Sequence, residues 1–256
     1  LSLHDALPIL DNLYYVGPGS VAVWLIPTSA GLILIDTAQE PYVDYVVDNI
    51  KKVGFDPKNI KYILLSHGHL DHFGGANKIQ KLSGARVALT EADWNFMAMQ
   101  EANAIKNGRQ PKPGDEAPKK DMVIKEGDTV TLGDTSLKVY VMPGHTPGSL
   151  GLIFPVKDGN ATRMASMFGG TILLPGRPDV PTLQTYLASI AHFKEATTKA
   201  GVTVEIQNHP LMDDPARLTA ARDHKAGTPH PWVTNDYAVY LDVMAECLRA
   251  QRPEVP

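Results

Sequence analysis

The chain has 256 residues, 43% of them hydrophobic and 20% charged, with a formal net charge of −4. Such a composition supports a globular protein with a sizeable core, gives no electrostatic case for a nucleic-acid partner, and contains no stretch near the roughly 20 apolar residues of a membrane span. Its single cysteine, Cys247, excludes an intramolecular disulfide.

In chain order, the opening LSLHDALPIL reads as foreign to the fold, so residues 1–9 are set aside and 10–256 are taken as a single domain. A chain that had lost a signal peptide would be periplasmic or secreted, and one without would be cytoplasmic. Leu13–Gly17, Val21–Pro27 and Leu32–Asp36 are short, branched and aromatic runs separated by Gly or Pro, and predict a meander of strands. Pro41–Val53 carries Val43, Val46, Val47 and Ile50 at helical spacing, with Gly54 as its stop. Tyr62–Ser66 is a continuous apolar run, expected of a strand covered on both faces. A helix follows through Ile79 and Leu82 to Gly84, and then Ala104–Lys120 reads as a long Pro-, Gly- and Lys-rich loop. Further strands are expected at Thr129–Leu132, Leu137–Met142, Leu150–Pro155, Met164–Phe168 and Val202–Ile206. Helices are expected at Leu183–Lys199, before Gly201, and at Asp236–Arg249. The alternation makes one α/β domain the economical reading.

Ser66-His67-Gly68-His69-Leu70-Asp71-His72 puts three imidazoles and a carboxylate directly after the buried strand. Strand ends are where α/β proteins place their sites, and imidazole with carboxylate suits zinc. A turn there can aim His67 and His69 at one ion while Asp71 and His72 face another. A solvated His-rich turn is the bland alternative, and the density of the cluster favours metal. His145, in Pro143-Gly-His-Thr-Pro-Gly-Ser149, and His209, after the strand at Val202–Ile206, also follow strands. Each alone would pass as structural; together with the cluster they complete a ligand set. His4, His192, His224 and His230 have no such setting and read as surface or core residues.

These motifs, in this order from about Leu10 to Ala226, resemble the metallo-β-lactamase superfamily. The resemblance implies a four-layer αββα sandwich with two Zn2+ ions per chain at one edge. It implies His67, His69 and His145 on the first ion and Asp71, His72 and His209 on the second. Glyoxalase-type thioesterases and many lactonases of the superfamily have a bridging Asp in a Gly-Asp pair at a strand end. Here that stretch reads Met167-Phe168-Gly169-Gly170-Thr171, without a carboxylate. The Cys ligand of two β-lactamase subclasses is also missing, since Cys247 lies in the C-terminal helix. What is left is most similar to the third subclass of the metallo-β-lactamases. The Leu174–Gly176 turn fits that subclass, whereas Lys225–Val233 looks like an insertion.

The resemblance implies opening of the β-lactam ring of penicillins, cephalosporins and carbapenems by metal-bound hydroxide, with Asp71 both binding metal and orienting the nucleophile. Thr171 is either a hydrogen-bond donor to the substrate carboxylate or a plain strand-end threonine. Trp94 and Phe96 either line the pocket mouth or belong to the core. The expected partner is a small molecule, and a monomer is expected. The rival reading is a metal-dependent hydrolase of another ester or amide, such as a lactone or thioester, because substrate choice lies in loops. A metal-binding module with a degenerate site is disfavoured by the six intact ligands, and a nuclease by the acidic balance.

Overall fold

The computed structural model describes residues 5–110, 112–171, 178–212, 215–225 and 228–251. Its first sheet runs β1 (Leu7–Leu10), β2 (Leu13–Tyr15), β3 (Trp24–Thr28), β4 (Gly31–Ile35), β5 (Ile60–Leu64), β6 (Arg86–Thr90) and β7 (Met122–Ile124), in that spatial order. The strands are antiparallel as far as β4 and parallel from β4 to β7. Helices α1 (Val43–Lys52), α2 (Leu70–Phe73), α3 (Ala76–Ser83) and α4 (Glu91–Lys106) lie in its connections.

The second sheet contains β8 (Thr129–Leu132), β9 (Thr135–Val141), β10 (Leu150–Asp158), β11 (Ala161–Phe168) and β12 (Val202–Ile206), ordered β12-β11-β10-β9-β8. All its pairs are antiparallel except β11 with β12, which are joined by α5 (Val180–Ala200). Helices α6 (Pro215–Arg222) and α7 (Tyr237–Gln251) complete the chain.

Side chains alternate across each strand, and the alternation sorts the core into three apolar layers. Trp24, Ile33, Ile35, Val139, Leu152, Phe154, Met167 and Ile206 meet between the sheets. Leu32, Leu34, Ile63 and Val87 face α1, α3 and α4 through Val46, Ile50, Ile79 and Trp94. Ile153 and Phe168 face α5 and α7 through Leu183, Tyr186, Ile190, Phe193, Leu241 and Leu248. Two helical layers around two sheets make the expected αββα sandwich. Helix ends follow local chemistry. Thr90 and Asp179 cap α4 and α5 by accepting from the amides of Asp93 and Thr182, and α3 and α5 end at left-handed Gly84 and Gly201.

Several boundaries differ from expectation. Leu7–Leu10, most of it inside the segment set aside, pairs with β2 and buries Leu7 and Ile9 at the edge of the inter-sheet core. The expected loop at Ala104–Lys120 begins as the last turn of α4, and β6, α4 and β7 were missed altogether. Within 225–233, Trp232 is fully buried against Trp24, ring centres 6.0 Å apart, so this side chain helps close the core. Leu174–Gly176 lies outside the described residues. No helix of the described residues is long and apolar enough to cross a membrane.

Candidate metal centre

The ends of β4, β5, β6, β9, β11 and β12 converge on one edge of the sandwich. The loop after β5 delivers His67, His69, Asp71 and His72; the β9–β10 turn delivers His145; the end of β12 delivers His209. A backbone bond stitches the two sheets here, Leu150 N–H donating to Ser66 O (2.8 Å), and within the second sheet Gly169 N–H donates to Leu150 O (2.7 Å).

The six residues form two clusters. In each, one donor atom per residue lies within 4.8 Å of the others: His67, His69 and His145 in one, Asp71, His72 and His209 in the other. His69 Nδ1 is 3.1 Å from His145 Nε2. His72 Nε2 is 3.1 Å from His209 Nε2, and Asp71 Oδ2 lies 3.5 and 3.7 Å from those two atoms.

The protons on these rings follow from their outer partners. Carbonyl oxygens only accept, so His67 Nδ1 donates to Gly169 (2.6 Å) and His209 Nδ1 to Ser20 (3.1 Å). His72 Nδ1 donates to the Asp36 carboxylate (2.7 Å). Each of these rings then presents Nε2 with its lone pair facing the cluster. Such outer bonds fix tautomer and orientation in metal sites. Burial, and then neighbouring imidazoles, push His67 well below the usual histidine range; burial lowers His69 and His209 too. Burial also pulls on His72, but the charge and hydrogen bond of Asp36, with Asp71, outweigh it and raise this ring.

A metal fits this donor set. His67 Nε2 is buried and has no hydrogen-bond partner among the described residues; a buried nitrogen left so is costly unless something coordinates it. Neutral imidazoles packed side by side with one carboxylate are a donor set for a divalent ion.

Some residues that build the site had no role in the sequence reading. Asp36, at the end of β4, is fully buried with φ +62 and accepts from Ser66 N (2.7 Å), Ser66 Oγ (2.8 Å) and His72. Asn208 Nδ2 donates to Gly169 O (3.0 Å) beside His67. Asp93, in the first turn of α4, bonds both ligand loops. The available signal was position, an acid at a strand or helix end. Distances across the fold were needed to use it.

Thr171 is fully buried, and its hydroxyl donates to Asn208 Oδ1 (3.4 Å). It follows β11 directly, and Asn208, its partner, lies beside His67. Trp94 is core and donates to the Met122 carbonyl (3.1 Å), while Phe96 packs edge-on against His69 at 5.5 Å. The Gly169-Gly170 stretch is tightly packed. A Cβ on Gly169 would meet Leu150 O at 2.4 Å, and one on Gly170 would meet His145 Cβ at 2.6 Å. Gly144 likewise lets the His145 turn lie against the Tyr186 ring, 2.4 Å from where a Cβ would stand. His192 is exposed and His224 and His230 are half-buried, all outside both clusters; His4 is not among the described residues.

The model of the Metallo-beta-lactamase superfamily matches residues 16–158, more than half of the chain. The structure is similar to that of BJP-1, a subclass B3 metallo-beta-lactamase of Bradyrhizobium japonicum. Identity is 32%, over 98% of this chain and 94% of that one, with a TM-score of 0.80. It is also similar to native FEZ-1 metallo-beta-lactamase from Legionella gormanii, with 25% identity over 96% and 95% of the chains and a TM-score of 0.82. In sequence it is similar to a hydroxyacylglutathione hydrolase of Maricaulis maris, 27% identical over 201 residues, 73% of this chain and 67% of the relative. The chain spans 54% to 67% of the length of three curated relatives, two of them hydroxyacylglutathione hydrolases and the third a probable metallo-hydrolase of Bacillus subtilis. With the match covering most of its first sheet and three of the five strands of its second, and the metal clusters at the shared edge, this chain belongs to the metallo-beta-lactamase superfamily.

Proposed function

We propose that the protein is a di-zinc hydrolase that opens the β-lactam ring of penicillins, cephalosporins and carbapenems. The observation that carries the reading is the pair Gly169-Gly170. The stretch that holds a bridging carboxylate in glyoxalase-type members has none here, and the packing leaves no room for one. Similarity to a subclass B3 enzyme along nearly the whole chain supports the same reading.

His67 Nε2, His69 Nδ1 and His145 Nε2 would hold one ion, and Asp71 Oδ2, His72 Nε2 and His209 Nε2 the other. When bound, the ions supply Lewis acidity: activation of water near neutral pH, polarisation of a carbonyl, and an anchor for a carboxylate and a departing nitrogen. Asp71 has a second carboxylate oxygen to accept the proton of the attacking water and orient it. The depressed histidines keep their lone pairs free without a competing proton. A β-lactam suits such a centre because its amide is strained and poorly conjugated. A cleft of about 690 Å³, bordered by Leu70, Phe73, Gln100 and Asn103, runs beside the ligand loop, within the range of small-molecule sites.

Thioester hydrolysis is the second reading, favoured by the relatives named hydroxyacylglutathione hydrolase. The test is a hydrolysis screen of the zinc-loaded protein against a penicillin, a cephalosporin, a carbapenem, an acyl-homoserine lactone and an acylglutathione. Turnover of the three β-lactams above the others is the expected result. Faster cleavage of the thioester or lactone than of every β-lactam would refute the β-lactamase reading and leave the hydrolase.

A further inference from the structure

The three-histidine cluster has an uneven construction. His67 and His69 hang from the first sheet and His145 from the second, so their spacing depends on how the two loops are joined. Asp93 lies between those loops. It is fully buried in the first turn of α4. Its Oδ2 accepts from the Gly68 amide (2.8 Å), between His67 and His69, and from the Thr146 hydroxyl (2.7 Å), next to His145. Its Oδ1 accepts from the Gly148 amide (2.7 Å). Thr90, the cap of α4, adds a bond from its hydroxyl to the Gly148 carbonyl (2.8 Å).

The contacts are close on both sides. A Cβ on Gly68 would meet the Asp93 carbonyl at 3.0 Å, and one on Gly148 would meet Thr90 Oγ1 at 2.0 Å. The first turn of α4 is thus wedged between the loops, with the carboxylate as the joint. A carboxylate is the side chain for this place because it accepts on both oxygens and donates on neither, and all three neighbours donate. A short charge-assisted bond is also stronger than a neutral one.

We propose that Asp93 is a positioning residue that sets the geometry of the three-histidine site by tying the loop of His67 and His69 to the loop of His145. The proposal rests on the metal reading above. The Asp71-His72-His209 site does not depend on this joint: His72 is held by Asp36 and His209 by Ser20. Asp93 therefore acts on one site of the pair.

The test measures zinc affinity by competition with a chromophoric chelator in two backgrounds. His209→Ala leaves the three-histidine site as the complete one, and His145→Ala leaves the other. Asp93→Asn keeps the shape but turns one acceptor into a donor facing a donor. It lowers zinc affinity about 10- to 100-fold in the first background, the range for lost ligand support, and leaves the second within about twofold. Thermal denaturation of the metal-free proteins reports general damage separately. Thr146→Val, which removes one of the three donors, gives a smaller loss with the same bias and serves if Asp93→Asn does not fold. Equal losses in both backgrounds, or no loss in the first, overturn the proposal. Absence of zinc binding by the unmutated protein overturns it together with the metal reading.

Discussion

Gly170→Ala isolates the packing around His145. The φ of Gly170 is not positive, so alanine meets no backbone strain, and the perturbation is one methyl group. That methyl would stand 2.6 Å from His145 Cβ, and 3.2 Å from both His145 Cγ and Ser149 Oγ. Against a close contact of 3.4 Å the first distance falls short by 3.4 − 2.6 = 0.8 Å. His145 cannot retreat freely, because Gly144 behind it already lies on the Tyr186 ring. Metal–ligand distances tolerate about 0.2 Å, so a shift of this size removes His145 as an effective ligand. Zinc affinity at the three-histidine site should fall at least about tenfold, the low end for lost ligand support. The metal-free protein should lose about 1–3 kcal/mol to overpacking. Chelator competition gives the first number and urea unfolding of the metal-free protein the second. Gly170→Asp carries the same clash plus a carboxylate, so the alanine variant is its necessary control. If Gly170→Ala binds two zinc ions as tightly as the parent, the argument that tight packing excludes a side chain here is wrong.

Asp36→Asn should act on the other site: the residue tolerates φ +62 as asparagine, but His72 and Ser66 lose part of their charged acceptor, and zinc affinity at the Asp71-His72-His209 site should drop about 10- to 100-fold by the same titration. His145→Ala should abolish retention of the first ion under mild chelation while the exposed His192→Ala changes neither metal content nor turnover; equal losses would refute the ligand assignment. The metal-free protein should lose stability as pH falls below the usual histidine range. His67, His69 and His209 have depressed folded-state pKa values, so there the unfolded chain takes up protons the folded chain refuses. His72, shifted up, opposes this and adds stability that is lost as pH rises; three against one leaves a net loss on acidification, and a melting temperature that rises between pH 7 and 5 would contradict it. Arg217→Ala strands Glu205, a buried carboxylate paired at 2.9 Å, and should cost about 3 kcal/mol in urea unfolding, toward the lower end of the range for a broken buried pair. Burial already raises Glu205 against the pull of Arg217, so it can neutralise and limit the loss; a cost below about 1 kcal/mol would show that the pair carries no structural weight.

Local signals in the sequence determined a good deal of this protein. Apolar runs bounded by Gly and Pro marked nine of the twelve strands among the described residues; Leu7–Leu10 was set aside, and Arg86–Thr90 and Met122–Ile124 are short runs that propensity does not separate from helix or loop. The ligand histidines were legible with the nine, because they follow predicted strands directly and the motif states that position outright. Asp36, Asp93 and Asn208 were not legible. Each is an ordinary polar residue whose meaning lies in a partner 30 to 55 positions away or more: Asp36 with Ser66 and His72, Asp93 with Thr146 and Gly148, Asn208 with His67 and Gly169. The Gly169-Gly170 pair shows the same limit from the other side. The sequence reveals that no carboxylate is there, but not whether the space it would take is empty. Only the tertiary structure decided that the space is filled, because a missing side chain leaves room only when no neighbour has closed in, and here Leu150 and His145 have.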